Sequence, residues 1–149
     1  MEYMKWTKLA IMTTLSFVAM YALMYVMVDV FSNVYISLDQ FYMALTMTSV
    51  MIIIEMMVMG SMYEKKVKII TVILGVVLFI TSFLFIRRQT SISDKEFLKS
   101  MISHHGAALL MCQKAAIEDG EIQALCKDII SSQQSQIDWM KTKLSTLKE

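Results

Sequence analysis

Twelve residues, M-I-S-H-H-G-A-A-L-L-M-C, place Met101, His104, His105, Met111 and Cys112 close together, and the two histidines are the only ones in the 149-residue chain. Imidazole and thioether are soft, neutral donors. Together they suit Cu(I) better than magnesium or calcium, and better than zinc, which prefers thiolate, imidazole or carboxylate. On a helix, residues three or four apart meet, so Met101 reaches either histidine, whereas neighbours such as His104 and His105 point about 100° apart. Met111 lies seven residues from His104, two turns or ~10 Å away, and falls outside the set. Met140, arriving from a second helix, can close over the same spot. The expected metal ligands are therefore Met101, His104, His105 and Met140. A plainer reading stands beside this one. One histidine is an interior hydrogen-bonding residue, the other is solvated, and the methionines fill the core.

These side chains need helices to position them. Ser93-Asp94-Lys95-Glu96 fits the S-x-x-E capping box and predicts a helix start. Apolar positions then recur at helical spacing from Phe97 through Met101, His105, Leu109 and Cys112 to Ala116. Glu118-Asp119-Gly120 should end this arm, with Gly120 suited to a left-handed cap. A second stripe runs from Ile122 through Leu125, Cys126, Ile129, Gln133, Ile137 and Met140 to Leu144. The expectation is an antiparallel helical hairpin. Folding it about residue 119 sets Cys112 opposite Cys126, His105 opposite Gln133 and Met101 opposite Ile137, with Met140 within a turn of Met101. In an oxidising compartment Cys112 and Cys126 could form a disulfide; otherwise they are small buried apolar residues.

The remainder is of a different kind. Hydrophobic residues make up 56% of the chain, mean hydropathy is +0.55, proline is absent and there are four glycines, which reads as all-α. Three apolar runs, at about 9–30, 41–62 and 67–86, are each long enough to cross ~30 Å of hydrocarbon as a helix. Residues 1–86 thus form a three-span membrane domain, 87–92 a linker and 93–149 an exported hairpin. Lys5, Lys8, Lys65, Lys66 and Lys68 flank one side against Arg87 and Arg88 on the other, which puts the N terminus in the cytoplasm and the hairpin in the periplasm or outside the cell. The first run is too long for a cleaved signal peptide and lacks a small-x-small site. A net charge of +1 with no basic stripe argues against nucleic acid.

Thirteen of the 16 methionines fall in the first 63 residues. Met43, Met47, Met51, Glu55 and Met59 recur every four residues along the second run. An intramembrane carboxylate among thioethers, Glu55 with Met51 and Met59, is a candidate site for passing Cu(I). The alternative is that methionine serves simply as an apolar helix former.

The arm F-L-K-S-M-I-S-H-H-G-A-A-L-L-M, followed by I-I-S-S-Q-Q-S-Q-I-D-W-M, resembles the bacterial family known as domain of unknown function 305, over about residues 93–147. The family pattern, M-x-x-H-H-x-x-A-x-x-M and then Q-x-x-E-I-x-x-M, falls on Met101, His104, His105, Met111, Gln133, Ile137 and Met140. Gln136 stands where the family usually has glutamate. The resemblance implies a ferritin-like helical bundle, export, and copper binding through histidine and methionine. Many members have two hairpins and this chain has one, so a homodimer or larger membrane assembly is expected to complete a four-helix core. These readings converge on a multi-pass protein of the bacterial inner (plasma) membrane that binds copper, as Cu(I), for buffering or transfer. The competing reading is a dimerisation or docking module of a larger membrane complex. An enzyme is not expected: ferritin-like di-metal chemistry needs Glu-x-x-His pairs, and no glutamate stands three residues from either histidine.

Overall fold

The computed structural model describes residues 2–147, and the side chains from residue 6 onward. It is all-helical, with no strand among the described residues: α1 Glu2–Leu23, α2 Leu38–Val58, α3 Lys65–Arg88, α4 Asp94–Lys114 and α5 Gly120–Thr146, with short 3-10 turns at Phe31–Asn33 and Gly60–Met62. The chain divides into two compact units. One comprises Met1–Met24 with Asp39–Ser91, the other Tyr25–Leu38 with Ile92–Glu149.

The first unit holds three helices long and apolar enough to cross a membrane, Trp6–Leu23, Leu38–Val58 and Lys65–Arg88. Large apolar side chains cover their outer surfaces, among them Leu15, Val18, Ile73, Leu74 and Ile80. Beside Leu9 and Met56, many of the residues buried in this unit are small or hydroxylated. Ala44, Ser49, Gly75 and Ser82 are buried. Thr46 Oγ1 donates to Ser82 Oγ at 2.9 Å, and Thr48 Oγ1 approaches Met20 Sδ at 3.8 Å. Small residues let apolar helices approach closely, and hydroxyls that also bond their own helix carbonyls leave no donor stranded. Rings pack at Phe17–Phe41, Tyr42–Phe85 and Trp6–Tyr63.

The first helix departs from expectation. It stops at Leu23, well short of Val30, and residues from Tyr25 onward turn away. These residues belong to the second unit, where Val28 and Asp29 lie against α4 while Val26, Met27 and Val30 stay exposed. Val28 Cγ1 and Asp29 Oδ1 would lie 3.1 and 2.6 Å from a Cβ at Gly106, so the segment backs directly onto the α4 backbone at a residue with no side chain. Asn33 Nδ2 donates to Asp29 Oδ1 at 2.7 Å. Ser103 Oγ donates to the Asn33 carbonyl at 3.0 Å and accepts from the Tyr35 amide at 3.3 Å. Tyr35 packs against the hairpin core of Leu98, Ile102, Leu109, Ile137 and Met140.

α4 begins as the capping box predicts, with the Ser93 side chain accepting from the Glu96 amide. The Glu96 carboxylate accepts from the Lys99 ammonium at 2.7 Å and from the Leu38 amide at 2.6 Å. Burial alone would raise its pKa, but these two hydrogen bonds and the Lys99 charge outweigh burial and hold it below 4.5. The far end of α4 corrects the expected turn. The helix ends at Lys114, before Ala115 and Ala116, and Gly120 adopts no left-handed conformation. Gly120 instead opens α5, because the Asp119 carboxylate accepts from the Glu121 and Ile122 amides and caps that helix. The expected linker at 87–92 is shorter: α3 runs through Arg88, and Gln89 and Ser91 take positive φ.

Candidate functional site

Antiparallel packing of α4 on α5 forms a pocket of about 400 Å³, lined by Met101, His105, Ser135, Gln136, Trp139 and Met140. Met101 and His105 are i and i+4 on α4. Gln136, Trp139 and Met140 are i, i+3 and i+4 on α5. Each set shares one helix face, and the two faces meet. Three of the four expected ligands, Met101, His105 and Met140, therefore line one pocket. His104 does not: it is exposed, and its ring centroid lies 6.2 Å from that of His105. Adjacent helical residues diverge, as the 100° step requires.

His105 is 9% exposed, and both ring nitrogens have partners. Nδ1 lies 2.9 Å from the Met101 carbonyl oxygen, and Nε2 lies 2.7 Å from Gln136 Oε1. A carbonyl only accepts, so Nδ1 carries a proton and donates. In the neutral ring Nε2 then holds the lone pair. That lone pair can accept from the Gln136 amide, turned so its NH₂ faces the ring, or bind a metal if Gln136 moves aside. An Nδ1–H bond to a backbone carbonyl is the arrangement that commonly orients a metal-binding histidine.

The partner of His105 differs from the simple pairing by one turn: Gln136 rather than Gln133. Helical side chains lean toward their own N terminus. On α5 that direction is back toward the turn, so the long Gln136 side chain reaches His105 from one turn further out. Gln133 Oε1 is buried without a hydrogen-bond partner among the described residues. Trp139 went unnoticed in the sequence. It falls on an unspecified position of the Q-x-x-E-I-x-x-M pattern, and only its i+3 spacing from Gln136 could have placed it on the pocket face.

Cys112 and Cys126 are joined by a disulfide that bridges the two arms nearest the turn, with Cα atoms 5.2 Å apart. Met111 is exposed. In the first unit Met43, Met47 and Met59 are exposed, Met51 is half-buried, and Glu55 Oε2 is buried without a hydrogen-bond partner among the described residues. Met59 lies past the end of α2.

Among the described residues no group of three or more histidines, cysteines or carboxylates is placed to hold a metal ion. Any metal in the hairpin pocket would draw on thioether sulfur. The donors available, one imidazole nitrogen and two thioethers beside a neutral amide and a hydroxyl, with no carboxylate or thiolate, fit a soft monovalent ion better than a hard divalent one.

No solved structure matches the chain. The chain is similar to an uncharacterized protein of Acanthamoeba polyphaga mimivirus, 33% identical over 142 residues that cover 93% of this chain and 91% of the relative. An alignment of that length takes in the three apolar helices as well as the hairpin. That relative is viral, and so lends no support to a bacterial source. Residues 86–146 match the family model described as Domain of unknown function (DUF305). The match spans α4 and α5, including the pocket and the disulfide, and this hairpin belongs to that family.

Proposed function

We propose that the protein is a membrane-anchored binder of a soft metal ion, most plainly copper as Cu(I), held on the hairpin by His105 Nε2 and the sulfurs of Met101 and Met140 for buffering or transfer. The observation that carries this is the convergence of Met101, His105 and Met140 on one pocket between α4 and α5. His104 stands outside this set. The proposal involves no catalysis.

In this reading α1, α2 and α3 cross the bilayer. Two crossings separate the Tyr25–Leu38 segment from the hairpin, an even number, which returns the chain to the same side. Their packing into one unit is consistent with this. The lysines at 5, 8, 65, 66 and 68 favour a cytoplasmic N terminus and hence a hairpin on the far side. A Cys112–Cys126 disulfide fits an oxidising space there.

A second reading has its own observation. Both His105 nitrogens are hydrogen-bonded within the hairpin, as in a purely structural histidine. The hairpin would then be a dimerisation or docking module. Anaerobic titration of the detergent-solubilised protein with Cu(I) against a competing chelator separates the two. The metal site predicts competition that survives His104→Ala and is lost in His105→Ala and in a Met101→Leu/Met140→Leu double variant. Equal, weak binding by all four proteins would leave the docking module as the better account.

A further inference from the structure

Trp139 stands between two pockets of the hairpin, the one described above and a second that it shares with Phe97, Leu98 and Leu147. It lines the site beside Met101, His105 and Met140, yet is 63% exposed and stands outside the apolar core. Tryptophan is normally well buried, so an indole held at the mouth of a sulfur-lined pocket calls for a reason. The rest of the lining is uncharged: two thioethers, an imidazole, an amide and a hydroxyl. Among the described residues that line the pocket there is no carboxylate to neutralise a bound cation. A divalent ion would bring two uncompensated charges, a monovalent ion one. The electron-rich face of an indole attracts a cation within about 6 Å of its centroid, most strongly where water is partly excluded.

Resting on the metal-binding reading above, we infer that Trp139 is a fourth element of the site, its indole face covering a monovalent soft cation held by His105, Met101 and Met140. Its role is selectivity. It adds attraction for a singly charged, weakly hydrated ion without supplying the anionic ligand that a divalent ion needs. It also shields the ion from water and from competing donors.

Ag(I) is the probe of choice, because it requires no reductant that would open the Cys112–Cys126 disulfide. The chain has two tryptophans, Trp6 and Trp139. A Trp6→Phe variant of the full chain in detergent makes indole fluorescence report on Trp139 alone, unaffected by silver bound to methionines of the apolar helices. The expected result is saturable quenching at one equivalent, absent in the Met101→Leu/Met140→Leu background and not produced by Zn(II). Calorimetric affinity at the hairpin should fall several-fold in Trp139→Phe and about tenfold in Trp139→Leu. Trp139 is exposed, so both variants should keep the helical content of the parent. Silver binding that depends on Met101 and Met140 but leaves the indole unquenched and is unchanged in Trp139→Leu overturns the role of Trp139 alone. Absence of methionine-dependent binding overturns the metal site and this inference with it.

Discussion

Ser103 and Asn33 lie 70 residues apart in sequence, and Ser103 Oγ donates to the Asn33 carbonyl oxygen at 3.0 Å. This bond, with Tyr35 N–H on the same hydroxyl, fixes the segment between the first two apolar helices onto α4, one residue before the histidine pair. The segment presses on α4 where Gly106 leaves room for it.

Gly106 and Gly120 should therefore answer oppositely to alanine. Both are helical, and in an open helix alanine is better by roughly 1 kcal/mol. A Cβ at Gly120 meets nothing within 4 Å, whereas one at Gly106 meets Asp29 Oδ1 and Val28 Cγ1. Asp29 cannot retreat without giving up Asn33 Nδ2. Thermal unfolding followed by circular dichroism should show Gly120→Ala neutral or slightly stabilised and Gly106→Ala destabilised by about 1–2 kcal/mol. A rise in melting temperature for Gly106→Ala would show that the segment does not press on α4.

Gln136 holds His105 Nε2, so its removal should move stability and metal affinity in opposite directions. Gln136→Ala leaves a half-sealed imidazole nitrogen without its partner, a loss of about 1–2 kcal/mol. The same change frees the lone pair for an ion. Chemical denaturation should show the loss, while competition titration shows tighter Cu(I) binding. Weaker binding in Gln136→Ala would instead make Gln136 a participant in the site.

The disulfide should matter most near the turn. Beyond Leu109 on α4 and before Ile130 on α5 no residue is fully buried, and Met111, Ile122 and Leu125 are exposed. Cys112–Cys126 closes a loop with a sequence separation of 14, worth roughly 3 kcal/mol in the chain-entropy model. Amide exchange after replacing both cysteines by serine should quicken from about 107 to 130 and change little around Ile102 and Ile137. Uniform quickening would mean that the hairpin opens as a whole.

Glu96 should contribute a pH dependence. Its folded carboxyl titrates below 4.5, so the unfolded chain takes up the proton first as the solution is acidified. The contribution is present in full above that value and is lost as pH falls through the lower folded pKa. The side chain is partly exposed, so about 1 kcal/mol is the scale. Glu96→Gln should be less stable than the parent at neutral pH, and the gap should narrow as the solution is acidified through the lowered folded pKa. A constant gap would assign the effect to packing.

Local signals were the most legible in the sequence. Ser93 and Glu96 announce the start of α4, and the alternation of apolar stripes marks two helices that need each other. Counting outward from residue 119 sets Cys112 against Cys126, the pair that the disulfide joins. The same counting slips by a turn at His105, because it ignores the lean of helical side chains, and that lean, not the count, delivers Gln136. Tyr25 to Val30 was misread for another reason. An apolar residue reads the same whether it faces lipid or a neighbouring helix, and the residue that Val28 and Asp29 lie against, Gly106, comes far later in the chain. Gly120 takes no left-handed turn because Asp119 caps the following helix and draws Gly120 into its first turn.

The 70 residues that separate Asn33 from Ser103 also set an order of events. Chains fold from the N terminus as they are made. Asn33 and Tyr35 leave the ribosome well before Ser103 exists, and two apolar helices must be synthesised in between. Until then the Asn33 carbonyl and the Tyr35 amide have water in place of the Ser103 hydroxyl. The hairpin, when it emerges, meets a docking strip already in place. Cutting the hairpin out at residue 92 would remove that strip and bare the groove at Gly106, leaving an excised domain inclined to self-associate. Any recombinant fragment meant to stand in for the whole protein should carry residues 25–38 along with it.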